Sequence, residues 1–303
     1  MTTTTARPAS PTVPLGAAAT VPAAPATTPR PRRRRSRLGV SGWVSVVVLG
    51  LAAVAALAPG LLTGTDPTAT DPLAAFQPPG ADHLAGTDSL GRDIFSRIVH
   101  GARYSLLIGV AATALALVVG VTVGLLAGVA GRVADTVLTR ALDVLASFPE
   151  ILLALVLIAF TGPGIGNLVL ALAVAGVPRY ARVVRAQVFV VQGQGYVEQA
   201  RTFGLSRARL VLRHVLPNAL GTVPVLATIG LGTAIIGAAG LSFLGLGPQA
   251  PTPEWGSMLA ENRDYLRVAW WGGILPGLAL TSTVIAATVL GRRLQAVLER
   301  RAA

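Results

Sequence analysis

The sequence contains no cysteine and no lysine, and each absence excludes a kind of chemistry. Without cysteine the chain can form neither a disulfide nor a thiolate active site. Without lysine it cannot contain the phosphate-binding loop G-x-x-x-x-G-K-[ST], whose lysine reaches the phosphates of a bound nucleotide. His83, His100 and His214 are far apart and show no metal-ligand spacing, so we expect this chain to hold neither a metal nor a cofactor.

Charged residues make up only 13% of the 303 residues, whereas soluble domains contain about a quarter. Hydrophobic residues make up 52% and fall in long uncharged runs, which predicts an all-α integral membrane protein. The net charge of +12 would suit a nucleic-acid-binding protein. The arginines, however, cluster beside the apolar runs, so we expect contact with membrane lipid and not with nucleic acid.

Residues 1–37 are rich in threonine, proline, alanine and arginine, a composition that predicts a disordered tail. The arginines at the end of this tail precede an uncharged run at 38–65. A cleaved signal peptide has the same order of segments, but this run is longer than the apolar core of such a peptide. We therefore expect an uncleaved first span at about residues 41–62, with the tail held in the cytosol by its arginines.

The apolar runs predict six spans, provided that the stretch at 144–178 is divided. This stretch could form one long helix, but TGPGIG at 161–166 is typical of a loop. We divide it into a third span at about 140–160, kinked at Pro149, and a fourth that begins near Asn167. The fourth should continue into the cytosol as an amphipathic helix through Arg182 and Arg185. The second, fifth and sixth spans are predicted at 104–131, 219–246 and 268–291.

The distribution of arginine supports this division, because most arginines then lie on the side of the N-terminal tail. Merging the third and fourth spans would move the arginines between 179 and 213 to the outside. Both termini are therefore expected in the cytosol. In the second span, small residues recur at spacings near multiples of four, which lets helices approach closely in lipid. These residues are Gly109, Gly120, Gly124 and Gly128.

The stretch GYVEQARTFGLSRARLVLRHVLPN at 195–218 is the most polar run in the second half of the chain. Tyr196, Ala200 and Phe203 fall at i, i+4 and i+7, so they share one face of a predicted short helix. Glu198 lies in its first turn, where a carboxylate offsets the helix dipole. Gly204 can take the left-handed conformation that ends the helix.

A second helix is then predicted, capped by Ser206 and running into Pro217. On composition alone, the whole stretch could equally be a basic loop that joins two spans and has no partner. Its spacing resembles the EAA loop, the signature of bacterial ABC importer permeases, at Glu198, Ala200, Gly204, Leu216 and Pro217. Gln199 replaces the middle alanine of that signature, and RHVLPN at 213–218 resembles the peptide-importer branch.

This resemblance implies a short coupling helix that docks into a cleft on an ATPase subunit. The residues implied in coupling are Tyr196, Glu198, Ala200, Phe203, Gly204, Leu216 and Pro217.

A second motif lies in the polar segment between the first two spans. A short amphipathic helix capped at residue 88 or 89 is predicted to end at Arg97 and to lie along the membrane surface. The run at 85–97 resembles the LGTDxLGRDxxSR element of the dipeptide, oligopeptide and nickel importer permeases, although Ala85 replaces a leucine. We interpret it as a family marker and not as a catalytic site. Its marker residues are Gly86, Thr87, Asp88, Gly91, Arg92 and Asp93.

The loop between the fifth and sixth spans resembles the same branch. Its aromatic residues are predicted to anchor the chain at the membrane interface, with ligand contact as the alternative. They are Trp255, Tyr265, Trp270 and Trp271.

The resemblance covers roughly residues 38–295 and implies the six-helix fold of a type I ABC importer permease in a bacterial plasma membrane. It implies a second homologous permease subunit, two cytosolic ATPase subunits that bind ATP, and an extracytoplasmic solute-binding protein. The implied solutes are di- and oligopeptides first, nickel second and other small solutes after that. The implied regions are a tail at 1–37, the first span and outer segment at 38–101, a permease domain at 102–291 and a cytosolic tail at 292–303.

The apolar composition would also suit two other kinds of membrane protein. A secondary transporter keeps ionisable residues near the membrane midplane. Here Asp143 and Glu150 are the exceptions in nearly uncharged spans, and we interpret them as packing or gating residues at the inner end. A membrane enzyme would need a Ser/His or Asp pair, and none occurs at a recognisable spacing. Thr228 and Thr233 of the fifth span are candidates for lining a solute path.

Overall fold

Long apolar helices make up most of the described chain, which is residues 39–302 of a computed structural model, with side chains described as far as residue 297. The tail predicted at 1–37 lies outside this range. The helices are α1 (Val40–Leu57), α2 (Ile94–Val129), α3 (Arg132–Ala146), α4 (Glu150–Thr161), α5 (Ile165–Gln192), α6 (Gly195–Thr202), α7 (Arg207–Phe243), α8 (Trp255–Asn262) and α9 (Trp271–Ala302). Among the described residues, β structure is limited to one isolated bridge, so the all-α prediction is confirmed.

Within residues 39–302, five helices are long and apolar enough to cross a membrane, namely α1, α2, α5, α7 and α9. α3 and α4 reach that length and hydropathy only as a pair, which is bent by 87° and makes a sixth span if counted as one. The third span was predicted at 140–160 with a kink at Pro149, and the structure instead has two helices that are separated at this residue. Pro149 has a ψ of 134° and precedes α4. Its ring disfavours helical backbone at Phe148, and its nitrogen has no hydrogen to donate, so the kink becomes a break.

Glycines hold α2 directly against α5. A β-carbon on Gly120 would lie 2.6 Å from the β-carbon of Tyr180, and one on Gly124 would lie 2.5 Å from the carbonyl oxygen of Ala181. Because both residue numbers increase together along this contact, the two helices run parallel. The prediction that this row of glycines permits close packing is confirmed.

α7 continues through the proline that was predicted to end it. Val211–Val215 form a π turn directly before Leu216 and Pro217. The side-chain amide of Asn218 donates to the carbonyl oxygen of His214 at 2.6 Å. The wider turn and this extra donor accommodate a residue that has no N–H. The fifth span therefore belongs to a helix that begins at Arg207.

The two ends of the bundle contain different short helices, and we name each end after its helix. The α8 end comprises α8, the starts of α2 and α9 and the segment 58–93, around a buried cluster that includes Ile94 and Trp255. The α6 end comprises α6, the ends of α2 and α5 and the start of α7, around a buried cluster that includes Val188 and Val197.

Candidate functional site

α6 is an eight-residue helix that ends in a glycine turn. The amide of Leu205 donates to the carbonyl oxygen of Ala200 at 3.2 Å, and the amide of Gly204 donates to that of Arg201 at 3.0 Å. These two hydrogen bonds form a Schellman motif, in which the residue after the helix is left-handed. Gly204 has a φ of +78°, so the predicted helix-ending glycine is confirmed.

The start of α7 is fixed by a contact that the sequence did not indicate. The backbone of Ser206 is extended at the N-cap, but its side chain makes no capping hydrogen bond. The position of the cap is therefore as predicted, whereas the capping bond is not. Arg207 instead donates to the carbonyl oxygen of Val129 at the end of α2, which ties this turn to the bundle.

Val197 anchors α6 to the bundle. Its side chain is fully buried and packs in one cluster with Val188 of α5 and Leu210 of α7. The spacing of apolar residues predicts Tyr196, Ala200 and Phe203 on one face of α6, and that prediction missed Val197. The signal was its spacing of three from Ala200, the other residue of α6 that packs against this cluster.

The aromatic residues implied in coupling lie at the surface. Tyr196 is 42% exposed and Phe203 is 83% exposed. Glu198 is exposed in the first turn of α6. The rings of Tyr196 and His214 lie 6.3 Å apart between centroids, which connects α6 to the π turn of α7.

The start of α7 contributes exposed apolar side chains and exposed arginines to the α6 end. Leu212 is 64% exposed, Pro217 is exposed and Leu216 is half-buried. Arg209 and Arg213 are exposed as well. Exposed apolar and aromatic side chains among arginines are typical of a surface that another protein covers.

The amphipathic helix predicted to start at residue 88 or 89 does not form. Its position is taken by a turn, and α2 begins only at Ile94, where the carboxylate of Asp93 accepts the amide of Ser96 at 2.7 Å. Gly91 has a φ of +71°, which interrupts helical backbone before this cap. Ile94 is fully buried, so it does not lie along the membrane surface as predicted.

Asp88, Arg92, Arg97 and Glu261 form a cluster in which all but Glu261 are buried, and we call it the α8 charge cluster. Arg92 Nε lies 2.6 Å from Asp88 Oδ2. Glu261 Oε2 accepts hydrogen bonds from Arg92 at 2.6 Å and from Arg97 at 2.8 Å. Asp88 and Arg97 are each 1% exposed, and charges buried to this degree require paired, hydrogen-bonded partners. The cluster ties the segment before α2 to α8.

The other marker residues hold the same segment in place. The indole of Trp271 donates to the carbonyl oxygen of Thr87 at 3.0 Å, and the hydroxyl of Thr87 donates to the carbonyl oxygen of Ala74. A β-carbon on Gly86 would lie 2.6 Å from the indole nitrogen of Trp271. The marker run is therefore a folded structural segment at the α8 end.

Two of the four aromatic residues predicted as membrane anchors are buried. Trp255 is 2% exposed and its indole donates to the carbonyl oxygen of Ile98 at 3.0 Å, and Trp271 is 7% exposed. Tyr265 and Trp270 are 39% and 49% exposed, as an anchor would be. The sequence alone does not distinguish the two buried aromatic residues from the two exposed ones, because all four lie in or beside the same loop.

Three arginines of α5 pair with acidic residues of α3 and α4, and we call these pairs the α5 ladder. The pairs are Arg179 with Glu150, Arg182 with Asp143 at 2.9 Å, and Arg185 with Asp135 at 2.5 and 2.7 Å. Asp143 and Glu150 were predicted to have a packing or gating role, and the structure gives each an arginine partner. Within the described residues, no group of His, Asp or Glu side chains converges as a metal site requires.

The two threonines proposed to line a path bond within their own helix. The hydroxyls of Thr228 and Thr233 donate to the carbonyl oxygens of Pro224 and Ile229 at 2.7 and 3.3 Å. Their contact with a solute stays a prediction.

Comparison with known proteins gives consistent matches. Residues 120–303 match the family described as binding-protein-dependent transport system inner membrane component. The chain is 40% identical over 266 residues to the dipeptide transport system permease protein DppC of Alkalihalophilus pseudofirmus, covering 88% of this chain and 86% of the relative. It is 44% identical over 219 residues to the di/tripeptide transport system permease protein DppC of Pseudomonas aeruginosa, covering 72% of each. It is 43% identical over 221 residues to the glutathione transport system permease protein GsiD of Pectobacterium atrosepticum, covering 73% of each.

Solved structures share the fold at lower identity. The inward-facing MetNI methionine ABC transporter aligns with a TM-score of 0.56 at 22% identity, covering 66% of this chain and 96% of that chain. An amino acid ABC transporter with histidines aligns with a TM-score of 0.53 at 18% identity, covering 68% and 94%. At these identities the likeness establishes the fold alone. The family match and the relatives together establish that this chain belongs to the binding-protein-dependent transport system inner membrane components, the permease subunits of ABC importers.

Proposed function

We propose that this permease imports di- and oligopeptides across a bacterial plasma membrane, with the α6 end and both termini in the cytosol. Relatives at 40–44% identity carry names that refer to dipeptides, di/tripeptides and glutathione. The arginines beside the apolar segments support this orientation through the positive-inside rule. The proposal rests mainly on the α6 loop, residues 195–217, which forms a short helix and a glycine turn at the surface of the α6 end.

The α6 loop is suited to receive force from another subunit. The chain has no lysine and therefore no phosphate-binding loop of its own, so ATP must be hydrolysed by a partner. α6 is short, closed by the Gly204 turn, and fixed to α5 and α7 through the buried Val197. Tyr196 and Phe203 remain exposed for one of the two cytosolic ATPase subunits to cover. A rigid helix with one buried anchor would transmit a push to the bundle.

Other exposed faces of the bundle suit the remaining partners. Val133, Val137 and Val144 of α3 are 79%, 62% and 64% exposed, although α3 turns its acidic side chains toward α5. This apolar stripe would face the second homologous permease subunit, with the solute path between the two chains. Only 17% of the apolar stretch of α1 is buried, and the exposed remainder would face membrane lipid. The external binding protein would deliver the solute at the α8 end.

The three histidines do not support nickel as the solute. His83 lies 3.0 Å from Asp93, and the imidazole of His100 lies 3.0 Å from the carbonyl oxygen of Ser96. Both are at the α8 end, whereas His214 is at the α6 end beside Tyr196. Imidazole ligands spread over both ends do not form a site or a path for a transition metal.

Reconstitution tests the proposal. The chain, purified with its companion permease and ATPases, is placed in proteoliposomes with the binding protein outside and ATP inside, and uptake of a radiolabelled dipeptide is measured. We expect accumulation that requires ATP and the binding protein and that excess nickel does not compete away. Uptake that persists without nucleotide, or that follows an imposed proton or sodium gradient, would overturn the proposal.

A further inference from the structure

The α5 ladder uses all the acidic residues among the described side chains of the long helices. Among the described side chains of α1 to α5, α7 and α9, acidic groups occur only at Asp135, Asp143 and Glu150. Each pairs with an arginine of α5, and the three arginines are spaced by three residues along one side of the helix. Charges in a membrane protein are retained where they pair with one another or line a wet cavity. The ladder is therefore a specific connection between α5 and the α3–α4 pair.

The ladder also joins α3 to α5 across a contact with little buried apolar surface. In α3 the single buried residue is Leu142, which packs with Val177 and Ala181 of α5. Arg185 contacts both carboxylate oxygens of Asp135, at 2.5 and 2.7 Å. A guanidinium bound at two points fixes orientation as well as distance. α3 is thus held to α5 mainly through charge.

Two prolines lie next to the pair Arg179–Glu150, which is the first rung of the α5 ladder. Pro149 precedes Glu150 at the 87° break, and Pro178 precedes Arg179 inside α5. A proline inside a helix removes a hydrogen bond and weakens the helix at that turn. Glu150 and Arg179, which directly follow the two prolines, pair with each other. Both helices therefore have a mechanically weak point at the same level of the bundle.

α5 leads directly into the α6 loop. Only Gly193 and Gln194 separate α5 from α6, and the amide of Gly193 still donates to the carbonyl oxygen of Phe189 at 3.2 Å. A displacement of α6 is therefore passed along the chain to the part of α5 that carries Arg182 and Arg185.

We propose that Arg182 and Arg185 are positioning residues that carry the movement of the α6 loop to α3. The inner part of α5, from Arg179 to Gln192, moves as one body with α3 and with the end of α2, whose glycines pack against it. This body bends against the rest of the bundle at Pro178 and at the break before Glu150. The proposal rests on the proposed function, because it requires force from an ATPase at α6.

Charge reversal in the assembled importer tests the middle rung of the ladder, which is the pair Arg182–Asp143. Arg182→Glu places two carboxylates together, and Asp143→Arg places two guanidinium groups together. We expect either change to lower the peptide imported per ATP hydrolysed by up to about tenfold, because it replaces an attraction within the rung with a repulsion between like charges. Arg182→Glu/Asp143→Arg should restore most of that ratio. Arg140→Glu on exposed α3 surface makes the same charge change without breaking a rung and should leave the ratio unchanged.

Co-purification of the ATPases separates this inference from the proposed function. The α6 loop is intact in every variant, so ATPase binding should match that of the unmodified importer. An unmodified importer that takes up no peptide would contradict the proposed function. A normal ratio in Arg182→Glu, or a double variant that neither assembles nor recovers coupling, would overturn the role of the ladder.

A cross-link gives a test that does not depend on charge reversal. The chain has no cysteine, so Asp143→Cys/Arg182→Cys introduces the two thiols of the chain. This variant should be uncoupled until a short bifunctional thiol reagent joins the two positions, which should raise the peptide imported per ATP. If the cross-link instead blocks import, or leaves the ratio low, α3 and α5 do not move together and the proposal is wrong.

Discussion

At the α8 end, Arg97 is 1% exposed and shares Glu261 with Arg92, whereas near the α6 end the side chain of Arg182 is 51% exposed beside Asp143. The buried pairs permit one arrangement, because breaking them leaves a charge without water or partner. The half-exposed pair is partly solvated, so separating it costs less than separating a buried pair. Arginine therefore fixes the α8 end in one structure, whereas near the other end it joins α5 to α3 without burying either charge.

Removing a charge at the α8 end should have the largest effect on stability. Asp88→Ala deletes the partner of Arg92 and the acceptor for the amides of Leu90 and Arg92. We expect the free energy of unfolding to fall by about 1–3 kcal/mol, because buried donors lose their acceptor while Arg92 keeps Glu261 as a partner. Thermal unfolding of the detergent-solubilised chain measures it. Asp88→Asn keeps acceptor oxygen but not charge and should lose less. A melting temperature equal to that of the unmodified chain would show that the cluster is not structural.

Changing the α6 turn should affect coupling more than stability. Gly204→Val forces a β-branched residue to a φ of +78°, although no atom lies within 4 Å of its β-carbon position. We expect a loss of about 1–2 kcal/mol confined to the loop, with normal membrane insertion and strongly reduced ATP-dependent uptake. Gly204→Asn is the control, because asparagine tolerates this conformation. Normal transport by the valine variant would show that coupling does not depend on the turn at Gly204.

Trimming an exposed ring should have the smallest effect on the fold. Phe203→Ala removes a side chain that is 83% exposed, so the melting temperature should not change. ATPase binding should weaken by about tenfold if the ring is an interface anchor. Phe160→Ala at the end of α4, where the ring is 87% exposed, is the matched control and should bind normally. Equal binding by both variants would place the ATPase contact elsewhere on the chain.

Local patterns in the sequence predicted the features that depend on neighbours along the chain. Uncharged runs gave the long helices, and the glycine after Phe203 gave the turn that ends α6. The failures have identifiable causes. The charge cluster joins Arg92 to Glu261, 169 residues apart, so no spacing indicates it. The turn at Gly91 and the π turn before Pro217 depend on backbone hydrogen bonding that residue periodicity does not record.

The contact between α2 and α5 also limits where a solute can travel. Gly120 and Gly124 bring the two backbones so close that even a methyl group does not fit between them. In this arrangement no peptide can pass along that seam. The permeation route must therefore open beside a different flank of α5.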